Sequence, residues 1–239
     1  MIMQKLCLLV GGSRGLGAAL LKKYLNENFQ VIEFSRSGEG EGHVAVDLGS
    51  REAAIGAIDE VFAEQKTRSW DEVHLILNAA VVDPLGPLSG SEPEAWWRHM
   101  DINFTLPISI LGCLQRHFQG VECRKVAGFV SSGLAVSAMD GSSLYCATKA
   151  GVEHFIRSMA LEQARLPFPI ECANLNPGIM DTGMQADIRE SSAAELSQVN
   201  MFRDFKAHNA LVDPGIVANN VFAVLTQPFE NGGRIDVSG

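Results

Sequence analysis

The stretch KLCLLVGGSRGLGAALLKKYL, residues 5–25, decides the fold. Its first six residues form a short apolar run cut off by glycines, as a buried strand is, and Leu and Ala then recur at helical spacing. A strand, a turn and a helix follow from that order. The turn, GGSRGLG at 11–17, is built from residues that let the chain reverse tightly and bring backbone N–H groups and a helix N-terminus against a pyrophosphate. Gly11, Gly15 and Gly17 depart from the G-x-G-x-x-G spacing, so taken alone the turn also reads as a plain connection without a ligand. The same letters satisfy G-x-S-x-G, with Ser13 as a nucleophile on an elbow. A hydrolase elbow follows earlier strands that help build an oxyanion hole. Only ten residues precede Gly11, and the hydrolase reading recedes.

Outward from this unit, apolar runs at 31–34, 43–46, 73–77, 125–130 and 170–175 read as strands, and 52–65, 94–118 and 144–165 read as helices. The alternation predicts an α/β fold: one parallel sheet covered by helices on both faces, in a single domain over residues 1–239. Ligands of such sheets bind beyond the carboxyl ends of the strands. Residues 183–212 are polar, helix-like and outside the rhythm, and are expected to form a flap over that site. Neither an internal repeat nor a linker-like stretch breaks the chain.

Of the 239 residues 46% are hydrophobic and 20% charged, which suits a soluble globular protein with a buried core. A formal net charge of -9 repels phosphate backbones and anionic lipid, so neither nucleic acid nor membrane is an expected partner. The first residues have neither a basic leader nor a small-residue cleavage site, and the cytoplasm is the expected location. Five widely spaced cysteines fit reduced thiols better than a disulfide framework or a metal site.

Cofactor choice is read about 20 residues beyond the glycine turn, where an acid grips a ribose 2′-OH or an arginine accepts a 2′-phosphate. The second strand ends in FSRS, which places Ser35 and Arg36 there, with Arg14 within reach of the same phosphate. NADP(H) is therefore the expected cofactor, provided that Ser35 and not Glu33 ends the strand. An ordinary solvated arginine is the other reading of Arg36.

Tyr145 and Lys149 stand four apart at the start of a helix and share a face. An ammonium beside a phenol favours phenolate, so Lys149 is expected to lower the Tyr145 pKa toward the range of acid/base work. Ser132, just past the strand 125–130, lies where its hydroxyl can hold a substrate carbonyl oxygen. Pro107 has no N–H, so within a helix over 94–118 the carbonyl of Asn103 loses its partner and becomes a place for an ordered water. A kink that serves packing alone explains the same proline.

Together these residues resemble the short-chain dehydrogenase/reductase family. The likeness runs from Lys5 to about Thr182 through GGSRGLG, Asp47-Leu48, Asn78-Ala79-Ala80, Asn103, Ser132, Tyr145, Lys149 and Pro177-Gly178. Val10 and Ala80 depart from it, standing where threonine and glycine are usual. The resemblance implies a Rossmann-like, doubly wound sheet and hydride transfer between nicotinamide and a carbonyl or alcohol. It implies Tyr145 as acid/base, Ser132 orienting the substrate oxygen, Lys149 holding the nicotinamide ribose, and Asn103 carrying a relay water. Gly11, Ser13, Arg14, Gly15, Leu16 and Gly17 would cradle the pyrophosphate. Asp47 and Leu48 would touch adenine, Asn78 and Ala79 would line the cofactor, and Pro177, Gly178, Ile179 and Thr182 would surround the carboxamide.

The segment 176–192 and the letters YCATK are similar to the branch of sepiapterin reductases and bacterial benzil reductases, which implies an NADPH-dependent reductase of an α-dicarbonyl compound. On that likeness Asp236 is expected to anchor substrate, a solvent-exposed terminal acid being the other reading. Met180, Met184, Met201 and Phe202 are expected to give the flap an adaptable apolar lining suited to a flat substrate, although packing of the flap onto the sheet explains the same residues. An NADP(H)-binding redox sensor without turnover is the alternative. A homodimer or homotetramer is expected from the apolar faces of the helices around 96–118 and 144–165, with Trp96 and Trp97 either at that contact or in the core.

Overall fold

The computed structural model describes residues 3–239. Its first half comprises β1 (Lys5–Val10), α1 (Gly15–Asn26), β2 (Gln30–Ser35), β3 (His43–Ala45), α2 (Arg51–Gln65) and β4 (Glu72–Leu77). The second comprises α3 (Pro93–Met100), α4 (Leu106–Phe118), β5 (Arg124–Val130), α5 (Ser143–Gln163), β6 (Ile170–Asn176), α6 (Gly183–Glu190), α7 (Val199–Ala207), α8 (Pro214–Leu225) and β7 (Arg234–Asp236). The seven strands pair in parallel in the order β3-β2-β1-β4-β5-β6-β7. This is the doubly wound sheet of the Rossmann type, with its switch point between β1 and β4.

Strand periodicity explains why both faces are dry. On β1, Leu6, Leu8 and Val10 enter one core with Leu75, Phe129, Ile58, Ile110 and Ile156. Cys7 and Leu9 point the other way, to Leu20, Tyr24, Val221 and Leu225 of α1 and α8. Central strands sandwiched like this have no solvent face to make polar, hence the unbroken apolar runs in the sequence.

Two elements carried no clear signal. β7 has three residues and pairs only with the end of β6, too short for any periodicity. α8 packs along α1, which its nearly uniform apolar letters do not distinguish from a strand. The stretch over 94–118 is helical, but residues 101–105 form a π turn, with the Leu106 N–H donating to the Asp101 carbonyl. In such a turn the partner shifts to i+5, so the proline at 107 follows a ladder that has already widened. No described helix is long and apolar enough to cross a membrane.

Residues 183–212 contribute α6 and α7. Their apolar side meets the β5–α5 loop in a small separate core of Met139, Leu196, Val199 and Phe202. The two ends of the segment are tied together, Val212 N–H donating to the Ile179 carbonyl and Asp181 N–H to that of Val212, at 3.0 Å each.

Candidate active site

Val10, Ser35, Leu77, Val130 and Asn176 end their strands on one edge of the sheet, and the loops that follow surround a cavity of about 760 Å³. All the site residues named from sequence lie in its wall except Gly17, Asn103 and Asp236.

One end is a cradle of backbone. Gly11, at φ +88°, passes so close to Ala79 that a Cβ would stand 2.8 Å from its Cα, and Asn78 clasps the turn by donating to the Gly11 carbonyl at 2.6 Å. Gly17 supports the turn from beneath: a Cβ there would meet the Gly11 carbonyl oxygen at 1.9 Å. Helix α1 has no side-chain cap and no acid in its first turn. Its free N–H groups and positive dipole end open into the cavity at Ser13, Arg14, Gly15 and Leu16, a geometry suited to a pyrophosphate.

β2 ends at Ser35, and Glu33 is withdrawn from the cavity. The Glu33 carboxylate, 3% exposed, accepts from Gly12 N–H at 2.6 Å and Ser35 Oγ at 3.1 Å, and pairs with His43 Nδ1 at 2.7 Å. It builds the glycine turn and does not line the cavity in which a ribose would sit. Ser35, Arg36, Ser37 and Arg14 face the cavity instead. The arginine ion pairs among the described residues involve Arg51, Arg116, Arg124, Arg157 and Arg234, so Arg14 and Arg36 are free to meet an anion. Arg98 of α3 enters the same end, beside Asp47 and Gly49. No motif marked it.

At the other end, α5 presents Tyr145 and Lys149 one turn apart, opposite Ser132. Ser132 Oγ accepts the Leu134 N–H at 3.2 Å, which leaves its hydrogen free to donate. Lys149, 2% exposed, donates to the Val130 carbonyl at 2.8 Å, with Nζ 5.5 Å from the centre of the Tyr145 ring. Burial pushes its pKa down to about 7, partly offset by the Glu153 carboxylate. Burial also pushes the Tyr145 phenol up to about 12, with the Ser132 side chain pulling the other way. This corrects the expectation that Lys149 lowers the tyrosine pKa. Both groups lose water, and desolvation disfavours phenolate and ammonium alike. Tyr145 is protonated at neutral pH.

Asn103 stands behind the wall, 1% exposed. Its amide pairs both ways with Val81, accepting N–H at 2.9 Å and donating to C=O at 2.7 Å, which fixes the loop after β4. Nδ2 also donates to His99 Nε2 at 2.9 Å, while His99 Nδ1 donates to the Asp83 carbonyl at 2.7 Å. His99 is thus neutral, as burial dictates, and its ring meets Tyr145 edge-on at 6.2 Å. A lone histidine gave no signal in the sequence. Asp236 is withdrawn from the substrate set. It sits outside the wall, its carboxylate taken by Asn176 Nδ2 at 2.9 Å and Ser238 N–H at 2.9 Å.

The family profile described as "short chain dehydrogenase" matches residues 5–193. A benzil reductase ((S)-benzoin forming) of Bacillus subtilis is 28% identical over 238 residues, covering 98% of each chain. A benzil reductase ((S)-benzoin forming) of Bacillus cereus is also 28% identical, over 94% of this chain and 96% of its own. A crystal structure of a short chain dehydrogenase/reductase from Saccharomyces cerevisiae superposes with a TM-score of 0.83 at 23% identity, covering 98% of this chain and 96% of its own.

Proposed function

The chain belongs to the short-chain dehydrogenase/reductase family, oxidoreductases that interconvert C=O and CH–OH with a nicotinamide cofactor, and on that premise we propose that it is an NADPH-dependent reductase of α-dicarbonyl compounds. The observation that carries the reading is the convergence of Ser132, Tyr145 and Lys149 on the cavity wall that continues from the glycine cradle. When bound in the cavity, reduced nicotinamide supplies a hydride. Ser132 donates a hydrogen bond to the carbonyl oxygen, and Tyr145, protonated at neutral pH, gives that oxygen its proton. Lys149 would hold the nicotinamide ribose, and the backbone carbonyl of Asn103, behind the wall, would hold the water that returns the proton.

The free Arg14 and Arg36, with Glu33 turned away, support a 2′-phosphate and so NADP(H). The two benzil reductases support a dicarbonyl, as does a substrate end lined by Met139, Met180, Met184, Met201 and Phe202, soft side chains that adapt to a flat aromatic ligand. Residues 183–212 close over that end as a flap. Trp97 and Leu161, 65% and 73% exposed, support association into a dimer or tetramer.

The direct test is NADPH oxidation with benzil and related diketones against simple monoketones. Faster turnover of the diketones is expected. Tight NADPH binding with no turnover across the panel would instead favour a sensor.

A further inference from the structure

Three successive residues leave β5 for the active site, and each is gripped by a charged side chain. The Val130 carbonyl accepts from Lys149 Nζ at 2.8 Å. Ser131 Oγ donates to Glu153 Oε1 at 2.5 Å. The Ser132 carbonyl accepts from Arg234 Nη2 at 2.9 Å, while Nη1 of the same guanidinium donates to Glu153 Oε1. Glu153 lies four residues after Lys149, so Tyr145, Lys149 and Glu153 form one ladder on α5, and Arg234 reaches Glu153 from β7, an edge strand of the sheet. Glu153 is 1% exposed.

Arg157 adds a looser contact to the Glu153 carboxylate at 3.7 Å, and burying that carboxylate against the partly exposed Arg234 costs desolvation that apolar side chains would avoid. Here both partners spend further hydrogen bonds on the segment 131–132. We propose that Glu153 and Arg234 are a positioning pair, which clamps residues 130–132 so that the Ser132 hydroxyl faces the Tyr145 phenol with Lys149 beneath it. This rests on the reductase reading. It adds two residues outside the Asn103, Ser132, Tyr145, Lys149 set, one of them on a strand that sequence periodicity does not show.

Arg234→Lys tests it, because a single ammonium keeps the charge opposite Glu153 but cannot reproduce a planar fork that meets two acceptors at once. With NADPH and a dicarbonyl, kcat falls about 10- to 100-fold, as for a displaced reacting group, while KM changes little. A second readout needs no turnover. The chain has two tyrosines, so labelling at Cζ yields one resonance from Tyr24 and one from Tyr145, the latter assigned with Tyr145→Phe. The Tyr145 resonance moves in Arg234→Lys in the direction it moves in Ser132→Ala. The apolar double variant Glu153→Leu, Arg234→Met keeps the segment folded, as melting shows, and still has the displaced resonance. A resonance that answers to Ser132→Ala but stays in place in Arg234→Lys or in the folded double variant overturns the clamp. An inactive wild-type chain overturns the reductase reading alone, because the resonance then still decides for or against the clamp.

Discussion

Replacing Arg36 by alanine separates the two nicotinamide cofactors. Arg36 and Arg14 face the cavity without partners, and no carboxylate is available at the end of β2, since Glu33 is held by Gly12, Ser35 and His43. A hydrogen bond between charged groups contributes about 1.5–3 kcal/mol. Arg36 is exposed at the rim, where water and salt compete, so the lower figure applies, about 1.5 kcal/mol. That is a loss of roughly tenfold in NADPH affinity. Arg14→Ala added to it brings the loss to about 100-fold at most, because two guanidiniums on one phosphate do not act independently. NADH, which has no 2′-phosphate, binds to the Arg36→Ala variant as it does to the wild type. Titrating the fluorescence of each reduced cofactor on binding measures both constants, and raising the salt concentration weakens NADPH binding to the wild type more than to the variant. Equal losses for the two cofactors, or none for NADPH, would refute the assignment of Arg36.

Glu33→Ala leaves two buried donors, the Gly12 N–H and the Ser35 hydroxyl, as well as His43, without their acceptor, and urea unfolding should show a loss of about 1–3 kcal/mol. Gly17→Ala drives a methyl into the Gly11 carbonyl, so both the melting temperature and the affinity for either cofactor should fall. Lys149 has a folded pKa of about 7 against an ordinary 10.5. Between those values the unfolded chain binds the extra proton, so stability through this group rises with pH, and the penalty is complete below pH 7. Lys149→Met should therefore stabilise the protein by on the order of 1–3 kcal/mol near pH 7 while abolishing turnover. The gain in urea midpoint should shrink as pH approaches 10.5.

What the sequence made legible was local. Buried strands, the glycine turn, and the i, i+4 pair of Tyr145 and Lys149 each follow from neighbours in the chain. What it hid depends on distant partners. Glu33 reads as a candidate ribose ligand until β3 and the glycine turn close on its carboxylate. The spacing of Tyr145 and Lys149 suggests a charge effect that lowers the tyrosine pKa, yet burial, which only the assembled fold creates, raises it. Asp236 stands near the C-terminus where an anchor was expected, but β7 aims it at Asn176 and Ser238. His99 and Arg234 carry no motif, and the Asp83 carbonyl that fixes the His99 ring and the Glu153 carboxylate that meets Arg234 lie 16 and 81 residues from them in the chain.

The proposed reduction requires the Tyr145 phenol as its proton donor. Single-turnover oxidation of bound NADPH by benzil, wild type against Tyr145→Phe, isolates that step from cofactor binding. A fall of at least about 100-fold in rate with NADPH affinity unchanged is the predicted result. A Phe variant that reduces the diketone at the wild-type rate would contradict it.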